Sequence, residues 1–183
     1  MTRILALDTS GAACSVALLQ DDEIDQRFEL APRDHTRLIM PMVDDLLGRH
    51  SLRLSQLDAI AYGRGPGSFT GLRICAAVVQ GLSYGAELPV LGVSSLAALA
   101  QGSFDGLAAS DGVVALVCID ARMGELYFAR YSRSGEGVAL QGAEQLLRPE
   151  AHELAPLLVR GSTPILLGSG WQYRDLMPDF GVT

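Results

Sequence analysis

Apolar and polar residues alternate or cluster along the chain so as to mark out most of its elements. An apolar run, Arg3–Leu7, ends at Asp8 and reads as a strand. Ala13–Gln20 and Ile24–Leu30 read as two more, joined by the acidic turn Asp21-Asp22-Glu23. Next comes a stripe at Leu38, Ile39, Met42, Val43, Leu46 and Leu47, whose i, i+1, i+4, i+5 repeat predicts a helix over 35–50. Asp34 or Thr36 can cap its start, Arg49 and His50 suit the dipole at its end, and Pro41 removes one backbone bond and predicts a kink. Strand Leu57–Tyr62, a glycine-rich turn, helix 71–85 and the short strand Val90–Val93 follow, then a helix from Ser94 or Ser95 to about Gln101.

The small and polar stretch Gly102–Gly112 reads as a boundary, giving lobes of 1–101 and 102–183. Strand Val113–Ile119 ends at Asp120, and Glu125–Ser132 forms the next strand. A turn at Ser134–Gly137 leads to a further strand, then a helix over Pro149–Val159, strand Pro164–Leu167 and the turn Gly168–Trp171. The second lobe thus opens like the first, with an apolar strand that delivers an aspartate to a tight turn reversing into another strand. Asp8 and Asp120 each have two readings: acids that hydrogen-bond their own turn, or remnants of a ligand cleft.

The turn Gly63-Arg64-Gly65-Pro66-Gly67-Ser68-Phe69-Thr70-Gly71 is dense in residues that set backbone shape. It is no Walker loop, because no Gly-Lys-Ser/Thr closes it. A tight strand-to-helix turn and a binding loop remain equally open readings. The helix after it is apolar nearly all round, with Leu72, Cys75, Ala76 and Val79 on one side and Ile74, Ala77, Val78 and Leu82 on the other. Such a helix is covered on both sides, either as a central core helix or at a subunit interface. Each large aliphatic side chain left wet forgoes roughly 1.5–3 kcal/mol, so two neighbouring apolar helices predict association. The expected interface residues are Leu38, Ile39, Met42, Val43, Leu46, Leu72, Ala76 and Val79.

Composition narrows the class. The 183 residues, 49% of them hydrophobic, suffice for one well-buried domain or two small lobes, and no apolar run is long enough to span a bilayer. The first residues lack the pattern of a signal peptide. Cys14, Cys75 and Cys118 are far apart in apolar surroundings and read as reduced, buried thiols of a cytoplasmic protein. A net charge of −7 disfavours autonomous binding to nucleic acid. His35, His50 and His152 belong to no ligand cluster, so no metal site is expected. No Ser/His/Asp, Cys/His or paired-carboxylate set stands out, so no catalytic residue is assigned.

The repeated strand–Asp turn resembles the layout of the duplicated ribonuclease-H-like fold of actin, sugar kinases and heat-shock chaperones. Several motifs sharpen this. Ile4-Leu5-Ala6-Leu7-Asp8-Thr9-Ser10, Pro32-Arg33-Asp34-His35-Thr36, the glycine turn through Arg73, Gln80-Gly81-Leu82 and Gly92-Val93-Ser94-Ser95-Leu96 are similar to those of the bacterial TsaB (YeaZ) family. So are Ile119-Asp120-Ala121-Arg122-Met123-Gly124-Glu125 and Gly168-Ser169-Gly170-Trp171. The resemblance covers essentially the whole chain. It implies an α/β, two-lobed actin-like fold and the dimerisation subunit of the machinery that makes threonylcarbamoyladenosine beside the tRNA anticodon.

On that resemblance the chain is a non-catalytic subunit. Its partners are the catalytic paralogue TsaD and the ATPase TsaE, with a homodimer when alone and tRNA reached only through the complex. The paralogue's His-x-x-x-His metal pair is absent, because Ile39 follows His35 by four residues. No cofactor is required. Asp8, Thr9, Asp120, Gly168 and Gly170 keep the outline of a vestigial nucleotide cleft that implies at most weak ATP or ADP binding. The alternative is an actin-fold ATP-binding enzyme, an ATPase or, by older labelling, a glycoprotease-like peptidase. The family also implies a helix after Trp171 that returns to the first lobe. The chain ends at Phe180-Gly181-Val182-Thr183 without one, so a truncated second lobe and an uncovered patch on the first are expected.

Overall fold

The first apolar run becomes β1 (Arg3–Asp8), which pairs antiparallel with β2 (Ala13–Gln20) in the register Ile4 opposite Leu19 and Asp8 opposite Ser15. A computed structural model describes residues 2–105, 112–150 and 163–177; the expected helix beyond residue 150, His152 and the chain end at 180–183 lie outside them. The acidic turn leads to β3 (Glu23–Leu30), antiparallel to β2. Helix α1 (His35–Arg49) carries Pro41 on its exposed side. After a 3₁₀ turn at Leu54–Gln56, β4 (Ala59–Gly65) pairs parallel with β1. Helix α2 (Phe69–Ala86) and β5 (Val90–Ser94), parallel to β4, complete a sheet ordered β3-β2-β1-β4-β5.

Alternation along β1 and β2 sends Leu5, Leu7, Cys14, Val16 and Leu18 to one face, where α1 and α2 cover them. Leu38, Ile39, Met42, Val43, Leu46 and Leu47 are all buried in this core. That corrects the interface expected on α1, because its whole apolar stripe already faces its own sheet. Val79 joins the same core, and Leu72 is half-buried.

Helix α3 (Ser95–Phe104) opens the second unit. The chain divides into Met1–Ser95 and Leu96–Thr183, ahead of the expected boundary after Gln101. The reason is packing: Leu96, Ala100 and Phe104 bury themselves against Ala115, Val117, Ala129 and Tyr131 of the second sheet. That sheet runs β10-β6-β7-β8, from β6 (Val113–Arg122), β7 (Glu125–Ser134), β8 (Gly137–Leu140) and β10 (Thr163–Leu167), with the short β9 (Gln145–Leu147) also on β7. Its other face holds Leu116, Cys118, Leu126 and Phe128 under Trp171, Tyr173 and Met177, which follow in and after a 3₁₀ segment at Ser169–Leu176.

Candidate functional site

The glycine turn is a packing device. The β1 end, Asp8-Thr9-Ser10, lies directly on it. A Cβ at Gly63 would stand 1.9 Å from Asp8 Oδ2, one at Gly67 2.5 Å from the Ser10 carbonyl, and one at Gly71 1.9 Å from the Thr9 carbonyl. No real side chain tolerates such distances. Ser68 caps α2 by accepting the Gly71 N–H at 3.3 Å, and its own N–H donates to the Ser10 carbonyl at 2.7 Å. The Gly65–Pro66 peptide bond is cis.

Of the expected cleft residues, Thr9 is fully buried and its hydroxyl donates to the Gly71 carbonyl at 2.7 Å. It locks β1 to α2, which corrects its placement as a ligand contact. Asp8 Oδ1 accepts from both the N–H and the hydroxyl of Ser10 at 2.7 Å, and Ser95 Oγ lies 3.2 Å from Ser10 Oγ. In the second unit Asp120 Oδ1 accepts the Arg122 N–H at 2.7 Å and Oδ2 accepts from Gln172 Nε2 at 2.9 Å. Gly168, at φ +96°, and Gly170 sit against Cys118, where a Cβ would fall 2.3 Å from its carbonyl oxygen and 2.4 Å from its Sγ. Each of these residues has a structural task inside its own unit.

The chemically reactive groups are muted. Burial pushes the Cys75 thiol up to about 11 and Cys118 to about 12, and raises Cys14, so all three stay protonated near neutral pH. His35 is buried at 6% exposure with no hydrogen bond to Nδ1, and Ile39 one turn later is wholly in the core. Among the described residues, no three His, Cys, Asp or Glu side chains gather as a metal site. Asp34 stands at the α1 N-cap position without capping it, because its carboxylate receives Arg37 Nε at 2.9 Å.

What remains open is the outer stripe of α2. Phe69 is 68% exposed and Tyr84 89%. Between them Arg73, Ala76, Ala77 and Gln80 are exposed on the same side. The Arg73 guanidinium stacks over the Phe69 ring at 3.8 Å. Gly81 and Gly85 face open space, with no atom of the described residues within 4 Å of a Cβ placed there. Ala76 is the one expected interface residue that lies on this surface. The sequence reading missed Phe69, Arg73, Gln80 and Tyr84, although their three- and four-residue spacing was there to be found.

Comparison with known proteins bears on the same chain. The family model of the tRNA N6-adenosine threonylcarbamoyltransferase TsaD matches residues 25–157. A tRNA threonylcarbamoyladenosine biosynthesis protein TsaB from Escherichia coli K12 is 46% identical over 98% of this chain and 75% of its own length. Its namesake from Haemophilus influenzae is 46% identical over 92% of this chain and 72% of its own length. A solved structure from Pseudomonas aeruginosa, described as similar to the peptidase YEAZ, superposes with a TM-score of 0.90 at 43% identity, over 97% of this chain and 81% of that one.

Proposed function

This chain belongs to the TsaB family of tRNA threonylcarbamoyladenosine biosynthesis proteins, and we propose that its part in that biosynthesis is association through the outer stripe of α2, not catalysis. The observation that carries this is the stripe itself. Glycine inside a helix costs roughly 0.5–1 kcal/mol relative to alanine. Nothing among the described residues needs glycine at 81 or 85, and a helix lying close against α2 does. Large rings at both ends and small residues between them fit a flat helix–helix contact.

The partner is the catalytic paralogue TsaD, with the ATPase TsaE joining the pair, and tRNA is reached through that complex in the cytoplasm. Alone, the stripe is self-complementary. Two antiparallel copies of α2 set Phe69 against Tyr84, Arg73 against Gln80 and Ala76 against Ala77, so a homodimer forms on the same surface. No cofactor is needed for this role. A second reading, an actin-fold ATP-binding enzyme, draws on the paired strand–Asp turns at Asp8 and Asp120.

Co-purification tests the first reading. Ala76→Arg and Tyr84→Ala should each release the paralogue while leaving the circular-dichroism melting curve unchanged. Retention of the paralogue at wild-type level by both variants contradicts it.

A further inference from the structure

Taking the α2 stripe as the contact surface proposed above, on which this rests, we infer that Arg73 selects the partner. The surface that docks there carries a carboxylate opposite this guanidinium, so the catalytic paralogue is preferred over a second copy. Arg73 is the one charged residue among the 18 of α2. At about 100° per residue, Phe69, Ala76, Ala77, Gln80 and Tyr84 all lie within about 60° of it around the helix axis. It therefore stands at the middle of the stripe and not on its rim. A partner that covers the two rings covers Arg73 as well.

No carboxylate among the described residues pairs with Arg73. Its guanidinium lies instead 3.8 Å from the centre of the Phe69 ring. That stack occupies one face of the planar group, and the N–H donors around its edge stay open to a partner. A guanidinium taken out of water without an anion is costly, and its donor fork matches a carboxylate in two parallel hydrogen bonds. In the antiparallel self-pair each Arg73 meets Gln80, whose amide oxygen accepts a hydrogen bond and leaves the charge uncompensated. A partner that offers aspartate or glutamate there satisfies both donors and charge. The rings and small residues serve either partner alike, so this one residue supplies the discrimination.

Titration calorimetry against the catalytic paralogue tests the selection, beside sedimentation equilibrium of each chain alone, using wild type, Arg73→Gln, Arg73→Lys and Ala76→Arg. Both are run at about 0.15 M salt, where distant charges are screened. Arg73→Gln keeps a polar side chain and removes the charge. It should bind the paralogue about thirtyfold more weakly or worse, the scale of losing one partner of a buried charged pair. It should associate with itself at least as tightly as wild type. Arg73→Lys restores the charge and should recover part of the affinity. Wild-type binding of the paralogue by Arg73→Gln but not by Ala76→Arg overturns the selection and leaves the surface standing. Equal weakening of both associations by Arg73→Gln also overturns it, since a lost stack on Phe69 acts on both alike. Wild-type binding by both variants overturns the surface itself, and the selection with it.

Discussion

At the scale of single residues, three glycines hold β1, β4 and α2 together by what they lack. Gly63→Ala drives a methyl into the Asp8 carboxylate and should destabilise by about 1–3 kcal/mol in urea unfolding. Adding Asp8→Ala should recover part of the loss, because the obstacle is a side chain. Gly71→Ala meets backbone, the Thr9 carbonyl, and truncating Thr9 should recover nothing; recovery at both sites or neither would refute this division. The glycine density was legible in the sequence as an ordered turn. Its cause was not, since Gly71 and its contact Thr9 are far apart in the chain. The exposed Asp34–Arg37 pair offers a pH test. The Arg37 guanidinium hydrogen-bonds Asp34 and holds its carboxyl below the ordinary value. A depressed carboxylate adds stability above its unfolded value of about 3.9, and that stability is lost as pH falls through the folded value. A stability deficit in Arg37→Ala should therefore be present at pH 6 and vanish in the acid range; an unchanged deficit there would contradict the sign.

At the scale of elements, the strands and helices were readable and their environments less so. The α1 stripe announced a helix, yet periodicity alone does not say whether a face meets its own sheet or a partner. Here Leu38, Ile39, Met42, Val43 and Leu46 all meet the sheet. Helix α2 read as apolar on every side because alanine and glycine count as apolar while tolerating exposure. Its real division is between Cys75 and Val79, buried, and the exposed Phe69–Tyr84 stripe. Val79→Glu and Ile39→Asp should therefore unfold the protein, since an unpaired buried charge removes about 3–5 kcal/mol from a total of about 5–15. Ala76→Arg should leave the melting temperature within a degree or two of wild type. A folded Val79→Glu with impaired association would restore the interface that the structure moves elsewhere. The boundary between units was misplaced for a related reason: α3, rich in Ala, Ser and Gly, gives no sign of which sheet it serves until Leu96, Ala100 and Phe104 are seen in the second core.

At the scale of the whole molecule, the family and the two-sheet plan were legible from motifs spread along the chain. The repeated strand–Asp turn did not by itself decide between turn and ligand. A chain of net charge −7 should not retain tRNA by itself in a mobility-shift assay at physiological salt; a specific shift without partners would contradict the indirect role. The most direct measurement is threonylcarbamoyladenosine formation on tRNA, reconstituted with the paralogue and the ATPase and with this chain as wild type, Asp8→Asn or Ala76→Arg. Asparagine keeps the acceptor that holds Ser10 and removes the charge. A subunit that associates and does not catalyse should give near-wild-type product with Asp8→Asn and a loss of tenfold or more with Ala76→Arg. Full activity of Ala76→Arg beside an inactive Asp8→Asn would contradict it.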